Sequence, residues 1–372
     1  MNVLITGGAG FIGTHLTQLA AEQNHRVRVL DNLSPQIHGT TPTFSKELLE
    51  HAECIYGDVR NRIDLEKCLD GIEVVIHLAA ETGMGQSQYE IFRYFDVNVN
   101  GTALILDILA NSKHQVNRII LSSSGRVYGD GPYICPKHGK IYPKPRSKDD
   151  TTRNGWNFYC PECSTLLTPS PCLETDILQP TSMYAVTKTT QEQMLHLFGT
   201  LYGLETVVLR YQNVYGRGQA LRNPYTGVLS VFCTRLRNGL IPEVYEDGCP
   251  TRDFVHVSDV AASTMAAIQT PNLSHQTINV GSGIDVTILQ TAEALIQAFG
   301  VSVKPQVTGM FRAGDVRNMV ADLTLARTLL GYSPKIGLEE GVRDLVAWVL
   351  SEPAEQDRSL NALAELGRRG LA

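Results

Sequence analysis

The chain contains 372 residues and carries a formal net charge of −6, with 43% hydrophobic and 19% charged side chains. This length and composition are typical of a globular protein built as one large domain or as two closely joined ones. The acidic balance, without a long basic run, argues against nucleic acid as a partner, and no apolar stretch is long enough to cross a bilayer, so we expect no membrane partner.

The chain begins with a predicted strand, a glycine-rich turn and a helix. Val3–Thr6 is a short apolar run, Gly7–Gly13 follows it, and Thr14–Glu22 has the apolar spacing of a helix. Glycines in such a turn let the backbone approach a pyrophosphate, which lies at the helix N-terminus. Because the strand starts at once, without a basic n-region or cleavage site, we expect no signal peptide and a cytoplasmic location.

The second predicted strand, Arg26–Leu30, ends in Asp31-Asn32, of which Asp31 is acidic. An acidic residue at this distance from the glycine turn binds the ribose hydroxyls in dinucleotide-binding folds. An aspartate also repels a 2′-phosphate, so the sequence favours NAD over NADP. The alternative interpretation of Asp31 is a turn residue that contacts no ligand.

Two further strands are predicted at Cys54–Val59 and Val74–Ala80, and the second is apolar enough to be central in a sheet. At the end of the first, Asp58 is placed to hydrogen-bond an adenine amine and Val59 to pack on the ring. At the end of the other, Ala79 and Ala80 are small enough to let a cofactor pass.

The rest of the N-terminal half continues the alternation of strands and helices. Glu81–Ser87 is a polar loop at a strand end, Asp96–Ala110 reads as a long helix, and Arg118–Ser123 and Thr206–Leu209 read as strands. Asn98, near the start of the helix, carries an amide that is expected to face the cofactor. This alternation predicts an α/β fold with a doubly wound parallel sheet and right-handed crossovers.

A tyrosine and a lysine stand one helical turn apart at Tyr184 and Lys188, so they share one face of a helix. A lysine ammonium close to a phenol favours the phenolate, which can then exchange a proton near neutral pH. A serine of the Ser122–Ser124 run can hydrogen-bond the same substrate oxygen. This pattern alone also fits a surface helix pair without any function.

Taken together, the motifs resemble the extended short-chain dehydrogenases/reductases of the nucleotide-sugar epimerase/dehydratase type. The motifs that carry the resemblance are Thr6–Gly13, Asp31-Asn32, Asp58-Val59, His77–Ala80, Ser122–Ser124, Val127–Gly129 and Tyr184-x-x-x-Lys188. The resemblance implies that Ser124 is the catalytic serine, that Tyr184 is the acid/base, and that Lys188 binds the nicotinamide ribose. The implied cofactor contacts are Gly7, Gly10, Phe11, Ile12, Asp31, Asn32, Asp58, Val59, Leu78, Ala79, Ala80, Asn98, Ser122, Tyr184, Lys188 and Tyr211.

The same resemblance implies a nucleotide-diphosphate sugar as substrate. Arg252 and Arg312 match family positions that contact the diphosphate, and a guanidinium fork suits two phosphate oxygens. Surface arginines without a ligand are the alternative. The implied substrate contacts are Thr82, Gly83, Gln86, Ser87, Ser124, Gly125, Arg126, Tyr184, Asn213, Asn223, Val228, Tyr245, Arg252, Arg312 and Asp315.

The two residues that follow the catalytic serine help to decide which reaction of the family the resemblance implies. A 4,6-dehydratase of this family has an Asp-Glu pair where this chain has Gly125 and Arg126, and arginine does not shuttle protons at pH 7. Asp31 disfavours an NADPH-dependent reductase. NAD-dependent epimerisation at C4 remains, and the chain most resembles dTDP-L-rhamnose 4-epimerases, which interconvert dTDP-L-rhamnose and dTDP-6-deoxy-L-talose. The alternatives are a UDP-hexose or UDP-uronic acid 4-epimerase, an NAD(P)H-dependent 4-keto nucleotide-sugar reductase, and a non-catalytic dinucleotide-binding regulator.

The stretch between Ser124 and Tyr184 is longer than is usual in this family. It holds two pairs of soft ligands, the first formed by Cys135 and His138 and the second by Cys160 and Cys163. This spacing predicts a tetrahedral structural zinc site with no open position, in a zinc-ribbon-like flap over residues 130–178. The alternative is a loop with unligated cysteines.

The expected domain division places a NAD-binding Rossmann domain at residues 1–210, including the flap. Residues 211–372 are expected to form mainly a smaller nucleotide-sugar-binding domain, with some segments returning to the first. Val342–Leu350 reads as an amphipathic helix, and the chain after Ser351 as a polar helix or frayed tail. By the family resemblance, the helices at Asp96–Ala110 and Tyr184–Leu201 form the interface of a homodimer.

Overall fold

The computed structural model describes residues 1–40, 42–225, 227–312 and 314–371. Its strands, in chain order, are β1 (Asn2–Thr6), β2 (Arg26–Asp31), β3 (Ala52–Tyr56), β4 (Val74–His77), β5 (Arg118–Ser124), β6 (Tyr133–Cys135), β7 (Gly139–Ile141), β8 (Thr168–Pro169), β9 (Glu205–Tyr211), β10 (Asn213–Tyr215), β11 (Glu243–Val244), β12 (Thr251–His256), β13 (Gln276–Val280), β14 (Asp285–Thr287) and β15 (Gln306–Val307).

The helices lie between these strands and after them. In chain order they are α1 (Phe11–Glu22), α2 (Pro35–His38), α3 (Lys46–His51), α4 (Arg62–Leu69), α5 (Met84–Ser87), α6 (Ile91–Tyr94), α7 (Gly101–Asn111), α8 (Lys148–Asn154), α9 (Met183–Tyr202), α10 (Val228–Arg237), α11 (Val257–Gln269), α12 (Ile288–Phe299), α13 (Thr324–Leu330), α14 (Leu338–Ser351) and α15 (Ser359–Gly367). A π-helix at Phe95–Asn100 joins α6 to α7, and a 3₁₀-helix at Gly125–Tyr128 follows β5.

A parallel sheet with the strand order β3-β2-β1-β4-β5-β9-β13 forms the centre of the described chain. In the middle of the sheet, Ile5 of β1 lies between Val29 of β2 and Ile76 of β4. All three side chains are fully buried, which explains the unbroken apolar runs, because helices cover both faces of such a sheet. The predicted α/β fold with a doubly wound parallel sheet is confirmed.

The helices on the two faces of the sheet bury separate apolar cores. On one face, Leu16 of α1 and Val260 of α11 pack on the strands, and on the other Ile105 of α7 and Leu195 of α9 do so. Full burial of each such side chain stabilises the fold by about 1.5–3 kcal/mol. The helix α9 is thereby fixed against β5, so that its first turns stand beside the end of that strand.

Several predicted elements differ from the structure in their bounds, and the strand predicted at Val74–Ala80 ends at His77. The strand predicted to Val59 ends at Tyr56, because the Asp58 carboxylate accepts a hydrogen bond from the backbone N–H of Arg60 at 2.9 Å and turns the chain. The helix predicted at Asp96–Ala110 starts instead as a π-helix from Phe95 and continues as α7. The loop Glu81–Ser87 contains the short helix α5.

A smaller lobe is built from the C-terminal part of the chain. Its sheet has the strand order β10-β12-β14, and its core joins Phe232 of α10, Leu295 of α12 and Leu345 of α14. Helix α14 covers the predicted amphipathic segment, and α15 forms a helix where a helix or frayed tail was expected. Strand β13 returns to the large sheet beside β9. We propose the division at residue 210 on this basis.

The insertion after β5 contains an antiparallel sheet with the order β7-β6-β8. Its core consists of little more than Tyr133, Phe158 and Leu167 with the cysteines Cys135 and Cys160. So small a core does not stabilise a subdomain alone. Among the described residues, no helix is long and apolar enough to span a membrane.

Candidate active site

A cavity with a volume of about 570 Å³ lies between the carboxyl ends of the large sheet and the smaller lobe. The residues that follow β1, β4, β5 and β9 form its floor, beginning with Gly7, Leu78, Arg126 and Gln212. Ligands bind at this edge of open α/β sheets, where the strand order reverses. The cavity is therefore the candidate active site.

The glycine turn at one end of the cavity leaves room for a ligand backbone. Gly7 has a φ of +70°, and a Cβ there would lie 2.8 Å from the backbone of Ala79. A Cβ on Gly13 would lie 2.5 Å from the Cα of Gly8, so the start of α1 packs tightly on the turn. The first residues of α1, Phe11, Ile12 and Gly13, line the cavity, and a helix N-terminus is the kind of place where a pyrophosphate binds.

The Asp31 carboxylate is held in place at the end of β2. It accepts hydrogen bonds from the backbone N–H groups of Ala9 at 3.0 Å and Leu33 at 2.9 Å. The neighbouring Asn32 side chain donates to Asp58 at 2.9 Å. Although burial alone would raise it, hydrogen bonds from Arg60 and Asn32 hold the pKa of Asp58 at about 2. This end of the cavity therefore carries negative charge, which opposes a 2′-phosphate.

Ser124, Tyr184 and Lys188 meet at the centre of the cavity. Ser124 ends β5, and Tyr184 and Lys188 lie in the first two turns of α9, which Ser182 caps by accepting a hydrogen bond from the Ala185 N–H at 3.2 Å. The Ser124 side chain lies beside the Tyr184 phenol and acts to lower its pKa, against the larger effect of burial. The two elements that the sequence separates by the insertion are thus brought together in space.

Burial and neighbouring groups shift the pKa values of Tyr184 and Lys188. Burial raises the pKa of Tyr184, and the Ser124 side chain and the charge of Arg126 act in the opposite direction. Lys188 is 2% exposed, burial lowers its pKa to about 7, and its ammonium donates to the Ser122 carbonyl at 2.7 Å. In the described chain, the charge of Arg126 acts on Tyr184, and Lys188 contacts the end of β5; the role of Lys188 beside the tyrosine stays a prediction.

A buried network stands behind the catalytic group and fixes the two elements that carry it. Arg210 of β9 forms a salt bridge with Glu192 of α9 at 2.7 Å, with 6% and 4% of the side chains exposed. Ser123 of β5 donates a hydrogen bond to the same carboxylate. His77 lies between the hydroxyls of Thr6 and Thr102, and burial lowers its pKa to about 3, so it is a neutral structural residue.

The other end of the cavity is rich in guanidinium groups. Arg126, Arg252 and Arg312 line it together with Asp315, which pairs with Arg312 at 2.8 Å. Burial lowers the pKa of Arg126 to about 9, and the charge of Arg252 acts in the same direction. Three cations around one carboxylate leave an excess of positive charge, which suits a diphosphate.

Several buried polar atoms on the cavity wall lack a partner within the described residues. They include Nη1 of Arg126, both amide atoms of Gln212, Oδ1 of Asn213 and Oε1 of Gln219. A buried polar group without a hydrogen bond costs about 1–3 kcal/mol. These groups require partners that the described side chains do not supply, such as ordered water or a ligand.

Most residues that the sequence predicted for the site do line this cavity. They are Gly7, Gly10, Phe11, Ile12, Asp31, Asn32, Asp58, Val59, Leu78, Ala79, Ala80, Thr82, Gly83, Ser122, Ser124, Arg126, Tyr184, Lys188, Tyr211, Asn213, Asn223, Val228, Tyr245, Arg252, Arg312 and Asp315. The residues around the cavity come from both lobes, which explains why their sequence positions span almost the whole chain.

Four predicted contact residues lie behind the cavity wall. The Asn98 amide is fully buried and donates to the Glu81 carbonyl at 3.1 Å and to Thr187 at 2.9 Å. Gln86 and Ser87 are buried within the turn of α5, where Ser87 donates to the Met84 carbonyl at 2.6 Å. Gly125 is covered by Gln212, whose amide would lie 2.4 Å from a Cβ at that glycine. These residues are not among those that line the cavity, and their contact with a ligand stays a prediction.

The C-terminal helix α15 is the part of the cavity that sequence reasoning missed. Ala362, Leu363 and Leu366 line the wall beside Met84. Glu365 fixes the position of α15 by accepting hydrogen bonds from the Tyr225 hydroxyl at 3.0 Å and the Tyr89 hydroxyl at 3.2 Å. The apolar spacing of 362, 363 and 366 was the available signal, since it marks one helix face.

The four soft ligands of the insertion converge. The ligand atoms of Cys135, His138, Cys160 and Cys163 all lie within 4.8 Å of one another. The Sγ atoms of Cys135 and Cys163 are 3.7 Å apart, and His138 Nδ1 lies 3.2 Å from Cys160 Sγ. A tetrahedral zinc with bonds of about 2.3 Å to sulfur has ligand–ligand edges of about 3.8 Å. The arrangement therefore fits a zinc ion.

Two polar neighbours of the cluster act on individual ligands, Thr165 on Cys163 and Glu162 on His138. Thr165 lies 3.2 Å from Cys163 Sγ, and its hydrogen bonds lower the pKa of that thiol to about 6. Glu162 lies 3.5 Å from His138 Nε2, the nitrogen that faces away from the cluster. A carboxylate on the far nitrogen of a ligating histidine fixes its tautomer and orientation.

Comparison with known proteins identifies the family. The sequence profile of the NAD dependent epimerase/dehydratase family matches residues 3–148 and 165–281. The chain belongs to this family. The predicted resemblance is confirmed, and the epimerase/dehydratase is an NAD-dependent enzyme, in agreement with the glycine turn and Asp31. The unmatched residues 149–164 hold Cys160 and Cys163, so this part of the insertion departs from the family pattern.

Three relatives illustrate the similarity of this epimerase/dehydratase to known enzymes. The dTDP-L-rhamnose 4-epimerase of Burkholderia thailandensis is 37% identical over 352 residues, covering 94% of this chain and 95% of that protein. The UDP-N-acetylglucosamine 4-epimerase from Methanobrevibacter ruminantium, in complex with UDP-N-acetylmuramic acid, has a TM-score of 0.76 at 28% identity, covering 94% and 98%. The UDP-glucuronic acid 4-epimerase from Bacillus cereus, in complex with UDP-glucuronic acid and NAD, has a TM-score of 0.76 at 27% identity, covering 94% and 99%.

Proposed function

We propose that the protein catalyses NAD-dependent epimerisation at C4 of a nucleotide-diphosphate sugar through a transient 4-keto intermediate. The observation that carries the proposal is the meeting of Ser124, Tyr184 and Lys188 between a dinucleotide cradle and a cluster of arginines in one cavity. A proton-transfer group placed between these two ends is what oxidation and reduction of a sugar carbinol require. The three relatives are all 4-epimerases.

In this proposal Tyr184 removes the proton of the C4 hydroxyl and later returns it. Ser124 hydrogen-bonds the same sugar oxygen, and Arg126 favours the phenolate from the other side. Lys188 turns from the Ser122 carbonyl to the nicotinamide ribose, and Asp31 binds the hydroxyls of the adenosine ribose. NAD⁺, when bound, supplies the acceptor that takes the C4 hydride and returns it. The sugar rotates between the two transfers, so that the other face of C4 is presented.

The arginine end of the cavity is the proposed site of the nucleotide diphosphate. Arg252 and Arg312 bind its oxygens, and Asn223, Val228 and Tyr245 lie along the nucleoside. With Arg126 after the catalytic serine, the chain has no acid/base pair for expelling the C6 hydroxyl, so we do not favour a dehydratase. The carboxylate of Asp31 likewise disfavours an NADPH-dependent reductase.

We propose dTDP-L-rhamnose and dTDP-6-deoxy-L-talose as the substrate pair. The support is the 37% identity to a dTDP-L-rhamnose 4-epimerase over most of both chains. The apolar side chains of Met84, Leu363 and Leu366 on the cavity wall are consistent with a sugar that carries a methyl group at C5. A UDP-uronic acid 4-epimerase is the second candidate, because the guanidinium of Arg126, which lines the cavity, carries a charge that suits a carboxylate.

The proposed function is tested by incubating the purified enzyme with dTDP-L-rhamnose, UDP-glucose and UDP-glucuronic acid without added cofactor. We expect an equilibrium mixture of the two C4 epimers from dTDP-L-rhamnose, resolved by chromatography and NMR, with little conversion of the UDP-sugars. Epimerisation of UDP-glucuronic acid instead would select the second candidate. If no nucleotide sugar of either class is converted while NAD is bound, the proposed function is wrong.

We also propose that Cys135, His138, Cys160 and Cys163 hold a structural zinc ion. With all four tetrahedral positions filled by protein ligands, no position is left for a substrate. The small apolar core of the insertion indicates that the metal supplies much of its folding free energy. The zinc would therefore hold the insertion folded beside the cavity.

Elemental analysis of the purified protein is expected to give one zinc per chain, and about none in Cys160→Ser. Because the insertion depends on the metal, we expect this variant to be cut by protease within residues 130–178 while the rest of the chain stays folded. Cys249→Ser, at an exposed cysteine outside the cluster, is the matched control and should keep its zinc. A metal-free wild type that resists protease equally would contradict the proposed zinc site.

A homodimer is proposed from the family resemblance and from exposed apolar side chains. Leu197 and Leu201 on α9 are 61% and 69% exposed, and Phe92 on the adjacent α6 is 80% exposed. Leu197 and Leu201 lie one helical turn apart and so share one exposed face of α9, which supports an interaction surface there. Light scattering should show a dimer for the wild type and a monomer for Leu197→Glu/Leu201→Glu. Leu350→Glu, at a leucine that is 55% exposed on α14, should remain dimeric; dissociation of both variants, or of neither, would contradict this interface.

A further inference from the structure

Arg146 of the insertion lies at the junction between the metal cluster and the cavity. Its guanidinium is positioned between two rings, 5.7 Å from the centre of Phe158 and 5.6 Å from the centre of Phe311. Phe158 belongs to the apolar core around the cluster and precedes Cys160 by two residues. Phe311 directly precedes Arg312, which lines the cavity. One side chain thus touches both structures without lining the cavity itself.

The polar contacts of Arg146 point to the cavity wall. Its two terminal nitrogens donate to the two carboxylate oxygens of Glu246 at 2.8 and 2.9 Å, and only 4% of each side chain is exposed. A planar, bidentate pair of this kind fixes both partners in position and orientation. Glu246 lines the cavity next to Tyr245, in the part proposed to bind the nucleoside.

The backbone at Glu246 needs such support. Glu246 has a φ of +53°, a left-handed conformation that side-chain-bearing residues rarely adopt. A second arginine, Arg317, donates to Glu246 at 2.9 Å and to Asp247 at 2.6 and 2.7 Å. Arg317 also contacts the insertion, donating to Asn157 at 3.1 Å. The turn 245–247 is therefore held from the insertion side by two guanidinium groups.

We infer that the metal-stapled insertion is part of the nucleotide-binding wall, and that Arg146 is the positioning residue through which it acts. With metal bound, Phe158 and the backbone around Cys160 hold Arg146 in place. Arg146 then fixes Glu246 and the turn that presents Tyr245 to the cavity, and it steadies Phe311 beside Arg312. The cluster thereby sets the affinity for the nucleoside diphosphate while leaving the proton-transfer group unchanged. The inference rests on the proposed function only for the identity of this ligand.

The test is calorimetric titration of dTDP, and of UDP, into the NAD-loaded enzyme, which requires no turnover. We expect Arg146→Gln to raise the Kd for dTDP about 10-fold, within the usual range of coupling between linked sites, with zinc and NAD contents unchanged. Arg146→Lys, which keeps the charge but loses the fork, should weaken binding in the same direction. Lys144→Gln removes an exposed charge from the same segment and should bind as the wild type does.

Metal removal supplies the second arm of the experiment. Chelation of the wild type should raise the Kd for dTDP as far as Arg146→Gln does, and added zinc should restore it. Chelation of Arg146→Gln should cause little further change in the Kd for dTDP, because this variant already lacks the side chain that links the cluster to Glu246. In steady state, KM for the nucleotide sugar should rise in Arg146→Gln while kcat stays within about 3-fold of the wild type.

Two results would overturn the inference. One is wild-type affinity for dTDP in zinc-replete Arg146→Gln. The other is an equal loss on chelation in the wild type and in Arg146→Gln, which would show that the metal acts by another route. Failure of the proposed function is distinguishable, since a protein without epimerase activity whose dTDP affinity still depends on Arg146 and zinc would retain the inference and lose only the reaction.

Discussion

Tyr184→Phe is expected to lower kcat for C4 epimerisation by about 10³-fold, because the variant removes the group that exchanges the proton of the C4 hydroxyl. General acid–base groups of this kind contribute about 10²–10⁴-fold. The ring stays in place, so the affinities for NAD and for nucleotide sugar should change by less than about 3-fold. The measurement is the initial rate of epimer formation, with titration of both ligands by fluorescence or calorimetry.

Tyr202→Phe is the matched control, since Tyr202 lies on the same helix, is 57% exposed, and stacks on Phe198 through its ring alone. It should retain the wild-type rate. Equal activity of the Tyr184→Phe variant would mean that another group transfers the proton. Absence of epimerase activity in the purified wild type, together with unaltered activity of Tyr184→Phe in cells, would instead favour the non-catalytic regulator among the alternatives.

Asp31→Asn is expected to reverse much of the discrimination between the two dinucleotides. The asparagine side chain has the size of the aspartate and keeps one acceptor oxygen. That oxygen can still accept one of the two hydrogen bonds from the backbone N–H groups of Ala9 and Leu33. The substitution removes the negative charge that opposes a 2′-phosphate, and juxtaposed like charges cost several kcal/mol. We expect the preference for NAD over NADP to fall by about 100-fold, with weaker NAD binding because a ribose hydroxyl loses a charged acceptor.

The dissociation constants of both dinucleotides, measured on protein freed of bound cofactor, decide this prediction. Asp70→Asn removes an exposed carboxylate just after α4 and should leave both constants unchanged. If Asp31→Asn rejects NADP as strongly as the wild type does, selectivity lies elsewhere in the cavity, and Asp31 serves mainly to hold the turns at Ala9 and Leu33.

The fold was predictable where the sequence signal is local. Runs of buried residues such as Val3–Ile5, each followed by glycine or small polar residues, define strands and their order. The π-helix at Phe95–Asn100 was not predictable in this way. Its Asn98 is held by partners 17 and 89 residues away in the chain, Glu81 and Thr187. Such long-range hydrogen bonds override helical periodicity.

In the candidate site, too, residues in short motifs were predictable and contacts between distant parts of the chain were not. Ser124, Tyr184 and Lys188 stand in short motifs, and the structure brings them together around one cavity. The contact of Arg146 with Glu246 joins residues 100 positions apart, so no spacing rule applies to it. Asn98 was expected at the cofactor on the basis of its amide and its place near a helix start, and the structure shows that this amide bonds Glu81 and Thr187.

The central claim is that the hydrogen on C4 leaves the sugar and returns to the same carbon without reaching water. The most direct measurement is epimerisation of dTDP-L-rhamnose in D₂O, followed by NMR of the C4 position in substrate and product. We predict that both epimers keep protium at C4 at equilibrium, and that substrate deuterated at C4 keeps its label in ordinary water. Incorporation of solvent hydrogen at C4 would contradict the proposed mechanism.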